Sequence, residues 1–116
     1  MRDQCREYAK LAADAAEDKK ANDVVILDIR ELSIIADYFV ICSANSRTQA
    51  QAIADSIEEH MELRGVKMRG TEGHRDGKWV LLDFGDVIVH VFQEEERRFF
   101  DLERLWGDAP RLSMSV

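Results

Sequence analysis

The sequence predicts an α/β fold: one domain with a mixed sheet of about five strands flanked by helices. Three observations predict it. Apolar residues recur at helical spacing in three stretches, β-branched runs of strand length lie between them, and two glycine-centred turns divide residues 66–92 into a meander. The length agrees with this, since a chain of 116 residues forms one domain and withdraws roughly two thirds of its unfolded surface from water.

Residues 3–20 place Tyr8, Leu11, Ala12, Ala15 and Ala16 on one stripe with charges elsewhere, a helix whose small side chains allow close packing on a sheet. Asn22 and Asp23 break that period. Residues 24–29 then form a β-branched apolar run suited to a buried central strand, and residues 38–43 form a second strand. Ser46 and Gln49 have capping-box spacing, in which the serine oxygen accepts from the third helical amide and the glutamine returns to the cap amide. The helix they start buries Ala50, Ile53, Ala54, Ile57 and Met61, exposes Asp55, Glu58, Glu59 and Glu62, and stops at Gly65. Strands are expected at 66–69, 78–84 and 87–92, with turns at Asp76-Gly77 and Gly85-Asp86 because glycine tolerates positive φ. Residues 70–73 read as a flexible connection between the first two of these strands. One last helix, 93–106, begins with Glu94, Glu95 and Glu96 at its positive end and is terminated by Gly107 and Pro110. Residues 1–20 are thus an N-terminal helix, 21–109 the core and 110–116 a short tail of a single domain, 1–116.

A net charge of −7, spread over both halves, gives phosphate little electrostatic reason to bind and favours basic partners. Cys5 and Cys42 stand far apart with no CxxC and no nearby histidine at ligand spacing, so reduced, buried thiols are expected. The N-terminus mixes both charge signs, and no run approaches the ~20 apolar residues of a membrane span, which points to a cytoplasmic protein. His60, His74 and His90 fall on a helix, in a loop and in a strand, so no metal set is expected. Gly70-Thr71-Glu72-Gly73 imitates a phosphate-clamping loop, but its central acid repels phosphate.

Two stretches carry candidate contact residues. Strand alternation puts Trp79, Leu81 and Asp83 on one face and Val80, Leu82 and Phe84 on the other, and the carboxylate marks the first face as partly open. On pattern alone, a tryptophan packed beneath the last helix is the simpler reading of Trp79. On a continuous helix Phe99, Leu102, Leu105 and Trp106 share one arc, leaving Phe100 outside it. Residues 94–108 hold six acids and three arginines, a charge suited to a basic docking surface, although an ordinary solvated face describes Glu94 to Glu96 better. His90 shares a face with Ile88 and Phe92 and fits a core histidine hydrogen-bonded to a carboxylate such as Asp28.

The ordered series Asp37, Phe39, Ser46, Gln49, Glu72, Gly73, Trp79, Asp83, His90, Phe92, Arg98, Leu102, Glu103 and Trp106 resembles the ribosomal silencing factor family, also called Iojap-related, over residues 21–109. The resemblance implies a nucleotidyltransferase-like fold without enzymatic activity, cofactor or metal. It implies docking on the large ribosomal subunit at ribosomal protein fourteen, which blocks joining with the small subunit and represses translation under nutrient limitation. It favours Trp79 as a hydrophobic anchor; Phe100 and Trp106 are assigned beside it, with Asp83, Asp101 and Glu103 facing basic groups, and which of Trp106 and Phe99 is buried internally stays open. Relatives usually carry tyrosine at position 100, so any hydrogen bond from that hydroxyl is lost here. Minor contacts to ribosomal RNA and a homodimer of the free protein are left open. Two rival readings remain: a metal-dependent nucleotidyltransferase, for which the expected Asp-x-Asp pair after Ser46 is missing, and an adaptor acting through a homodimer.

Overall fold

The fold, a computed structural model describing residues 2–112, begins with helix α1 (Arg2–Asp18), strand β1 (Asn22–Asp28), strand β2 (Tyr38–Ala44) and helix α2 (Arg47–Leu63). Strands β3 (Gly70–Glu72), β4 (Trp79–Asp83) and β5 (Val87–Gln93) follow, then helices α3 (Glu94–Phe100) and α4 (Leu102–Leu105) and strand β6 (Arg111–Leu112). The described strands form one six-stranded sheet in the order β3-β4-β5-β2-β1-β6. Only β2 and β5 pair in parallel, across a crossover that includes α2, and the other neighbours are antiparallel.

One face of the sheet is closed by α1 and α2. Ala9, Ala12, Ala13, Ala15 and Ala16 of α1 are fully buried, so the small stripe lets its backbone lie close to the sheet and to α2. From α2, Ala50, Ile53, Ala54, Ile57 and Met61 meet Val40, Cys42, Val80, Leu82, Val89 and Val91 in one apolar cluster. The second cluster, on the opposite face, contains Leu27, Ile29, Phe39, Ile41, Ile88 and Phe92, and among the described residues the short α3–α4 segment, Ala36 and Ala109 pack with it. That asymmetry of cover positions the site.

Several local expectations change. Ser46 caps α2 through Gln49 N at 3.1 Å, but the Gln49 carbonyl accepts from Asn45 N at 2.7 Å instead of returning to Ser46, and its amide nitrogen donates to Lys19 O and Lys20 O. Gln49 thereby ties the end of α1 to the start of α2. The most enclosed strand is β2, buried at every position, whereas the 24–29 run forms β1, which lies next to the short edge strand β6. Residues 66–69 form no strand. Val66 and Met68 pack on the core as irregular chain, and pairing with β4 starts at Gly70, so the expected connection is itself the edge strand. The expected tail pairs with β1 through Ile26–Leu112 and Leu27–Arg111 as far as residue 112, and residues 113–116 lie outside the described part. Of the thiols, Cys42 is buried and held up at about 12 by that burial, while Cys5 is only partly covered.

The largest departure is at the end of the chain, where one expected helix is two. Asp101 takes φ 46°, ψ 54°, a left-handed conformation that no continuous right-handed helix contains, and α4 restarts beyond it.

Candidate protein-docking face

Alternation along β4 leaves Trp79, Leu81 and Asp83 half-buried on the thinly covered face, with Val80 and Leu82 turned into the helix-covered core. Opposite them on β5 stand Phe92, His90 and Ile88 in register, and Phe39 of β2 comes next. These rings form a continuous floor. Trp79 lies 4.9 Å from Phe92 and 4.7 Å from Phe100, while Phe39 lies 4.7 Å from His90 and 5.5 Å from Trp106 in edge-to-face geometry.

His90 joins the two halves of this floor. Trp79 Nε1 donates to His90 Nδ1 at 3.1 Å; an indole N–H can only donate, so Nδ1 is the bare nitrogen and the proton of the neutral ring sits on Nε2. The partner of His90 is therefore tryptophan and not Asp28, whose carboxylate is engaged by Arg30 at 2.7 and 2.9 Å. Burial pushes the imidazole down to about 4, and Nε2 has no hydrogen-bond partner among the described residues.

The break at Asp101 reverses the expected roles of the two phenylalanines. Phe100 turns onto Trp79 and Phe92, whereas Phe99 stands 81% exposed, touching Phe100 edge-on at 5.0 Å. Leu105 is also exposed, and Leu102 and Trp106 pack on the second cluster. Of the carboxylates expected to face basic groups, Asp83 accepts from Gly85 N at 2.8 Å and shapes the β4–β5 turn. Glu103 meets its basic group within the chain: Arg97 donates to both of its oxygens at 2.9 and 3.1 Å, and this pairing holds its carboxyl below the usual carboxylate range. Arg97, itself buried, also donates to Ser43 Oγ and Asn22 O, which fixes α3 against β1 and β2. Asp101 sits at the kink. Structure thus brings Trp79 and Phe100 together, puts Trp106 at the far end of the ring floor, and leaves Asp83 and Glu103 in internal bonds.

Sequence reasoning missed a groove beside Trp79. Gly73, Asp76, Lys78, Trp79, Glu95, Glu96, Phe99 and Phe100 line a cavity of about 540 Å³. Side-chain amides hold its rim: Gln51 Nε2 donates to His74 O and Arg75 O, and Gln93 Nε2 donates to Gly77 O at 2.9 Å. At Gly73, φ is +79° and a Cβ would collide with the Trp79 carbonyl oxygen, so glycine alone lets the loop run this close under the tryptophan strand. The available signal was Gly73 followed by Gly77 before the Trp79 strand.

Among the described residues, Cys5, Asp37 and Asp86 form a group whose ligand atoms lie within 4.8 Å of one another. Burial and Asp86 raise the Cys5 thiol, which donates to Asp86 Oδ2 at 3.6 Å, so the group holds a protonated thiol instead of a thiolate ligand. It lies at the starts of β2 and β5, away from the carboxyl ends where open α/β sheets bind ligands. No described helix is long and apolar enough to cross a membrane.

The family described as "Ribosomal silencing factor during starvation" matches residues 2–116. The chain belongs to the ribosomal silencing factor family. It is 48% identical over 101 residues to the ribosomal silencing factor RsfS of Bacillus subtilis, covering 87% of this chain and 86% of that one. With the protein of the same name from Halalkalibacterium halodurans it shares 45% over 109 residues, or 94% and 93% of the two chains. A crystal structure of a Chromobacterium violaceum protein superposes with a TM-score of 0.87 at 38% identity, covering 96% of this chain and 92% of that one. Family membership places the chain in translation regulation by ribosome silencing.

Proposed function

We propose that this domain docks its Trp79 face on the large ribosomal subunit at ribosomal protein fourteen, and that its bulk then keeps the small subunit from joining. The reading needs no covalent step and no cofactor. One observation carries it: a ring floor covered on one side by two long helices is left thinly covered on the other, with Phe99 and Phe100 projecting beside Trp79. Half-buried aromatics on a rigid sheet are the residues that supply most binding energy in protein interfaces, because they are already ordered before the partner arrives. Trp79 and Phe100 act as anchors, Trp106 supports the floor through Phe39, and Asp83 and Asp101 contribute negative charge that orients the approach to basic groups, whereas the Glu103 carboxylate is already neutralised by Arg97.

Co-sedimentation with separated large subunits tests the face. Trp79→Ala is expected to cost about 2 kcal/mol of binding or more, but it also strips the hydrogen bond from His90. Phe99→Ala is therefore the cleaner probe: its ring is 81% exposed, so the circular dichroism and thermal midpoint should stay as they were while binding weakens. Retention of both variants on the large subunit at wild-type affinity would move the contact to another face.

A further inference from the structure

We infer that the groove beside Trp79 takes an arginine side chain of the docked partner, held between aromatic walls and a rim of carboxylates. The inference rests on the docking reading above and specifies the chemistry of one pocket within it.

Three observations on the groove converge. First, its walls are Trp79, Phe99 and Phe100, with ring centroids 4.7 Å apart for the tryptophan pair and 5.0 Å for the phenylalanine pair. Second, the rim carries Asp76, Glu95 and Glu96 against a single cation, Lys78, and the ion pairs formed among the described residues lie elsewhere, at Arg30, His60, His74, Arg97 and Arg111. Third, the only hydrogen-bond donor of the indole is already given to His90 Nδ1. Trp79 therefore offers a ligand no donor, only the part of its ring that Phe92 and Phe100 leave uncovered, and an aromatic surface with negative charge around it favours a cation over an acceptor or a purely aliphatic group.

Guanidinium fits this combination better than ammonium. It is planar and weakly hydrated, stacks on aromatic faces, and offers several donors to carboxylates at its edge, whereas an ammonium holds its water more tightly. A space of about 540 Å³ also leaves room for the backbone on either side of the side chain. The lining comes from the 73–78 loop, β4 and α3, and the loop is pinned by Gln51 and Gln93, so the pocket exists before the partner arrives.

The test uses the whole protein, labelled with nitrogen-15, titrated with N-acetyl-arginine methylamide and, in parallel, with the corresponding citrulline amide, which has the same shape and no charge. Saturable movement of the Trp79 indole resonance with the arginine probe is expected, at least tenfold weaker with citrulline and at least tenfold weaker in Asp76→Asn/Glu95→Gln/Glu96→Gln. Those three side chains stand at the surface or half-exposed, so the triple variant should keep its spectrum elsewhere, and Phe99→Ala, which removes one wall, should weaken the same response. Equal response to the two probes, or no saturable response to arginine, overturns the inference. Co-sedimentation separates the two ideas. Wild-type protein that binds large subunits while the triple variant binds equally well, with the same salt dependence, removes the arginine pocket and leaves the docking face standing. An arginine-selective indole response in a protein that does not pellet with large subunits supports the pocket and removes the docking reading.

Discussion

Trp79 has one hydrogen-bond donor, and His90 accepts it at 3.1 Å from within the sheet. This fixes the indole's orientation and also the charge state of the imidazole, because a protonated ring would set an N–H against the indole N–H. Burial acts in the same direction, lowering the histidine from 6.5 to about 4. Between those values the unfolded chain takes up a proton that the folded chain refuses, so stability falls as pH drops below about 6.5 and the loss levels off below about 4. At pH 5 the loss amounts to about 2 kcal/mol, from 1.36 kcal/mol per pH unit. Urea unfolding at pH 7.5 and pH 5.0 checks this: in His90→Gln the stability difference between the two conditions should shrink by about that amount, and an unchanged difference would assign the acid sensitivity to other groups. The face of His90 was legible from strand alternation, but its partner was not. Asp28 is a plausible acceptor in sequence, yet Arg30, two residues along, takes it locally, and the Trp79 pairing depends on a register between β4 and β5 that a hairpin turn only brackets.

At the scale of elements, the start, buried stripe and end of α2 were readable because the Ser46 cap, the apolar spacing and the terminal glycine all agree, although Gln49 turns to Asn45 and the end of α1 instead of closing the capping box. The α3–α4 segment was not, since neither Gly nor Pro interrupts it and the break falls at an aspartate. Asp is among the few residues that tolerate the left-handed region without large cost, so its presence permits the kink without announcing it. What holds the kink is tertiary: Arg97 on one side and Glu103 on the other pair across it, with Arg97 also anchored on Ser43 and Asn22. Strand β3 escaped notice for a related reason, as three exposed residues carry no alternation to read. The kink separates the Phe99–Phe100 turn of α3 from Leu102 and Trp106 on α4, and that makes it testable. Asp101→Gly should keep the fold and change stability by less than about 1 kcal/mol, because glycine adopts φ 46° freely. Asp101→Val forces a β-branched residue into the same region and should cost about 1–2 kcal/mol in thermal or urea denaturation. Equal stability of the two variants would mean that residue 101 does not hold the left-handed conformation in solution. Asp101→Asn retains the kink and removes the charge, so its binding to large subunits isolates the electrostatic part.

For the whole molecule, α1 and α2 order one face and leave the other thinly covered, and on the docking reading that thinner side is the contact side of the wedge. Its net charge of −7 suits approach to a basic surface and disfavours lasting attachment to exposed phosphates. Obstruction by occupancy has a consequence that catalytic inactivation of the ribosome would not share: it is reversible and competitive. With large subunits held constant, increasing small subunits should restore joined ribosomes at any fixed concentration of this protein, and the amount of protein needed for half-inhibition should rise in proportion to the small-subunit concentration once that exceeds its own dissociation constant. Gradient fractions should show the protein with free large subunits and absent from joined particles. Phe99→Ala should shift the inhibition curve by the same factor as it shifts large-subunit binding, since joining is prevented only to the extent that the face is occupied. Protein co-migrating with joined ribosomes at full occupancy, or inhibition that small subunits cannot overcome, would show that the wedge does not act by taking the place of the small subunit.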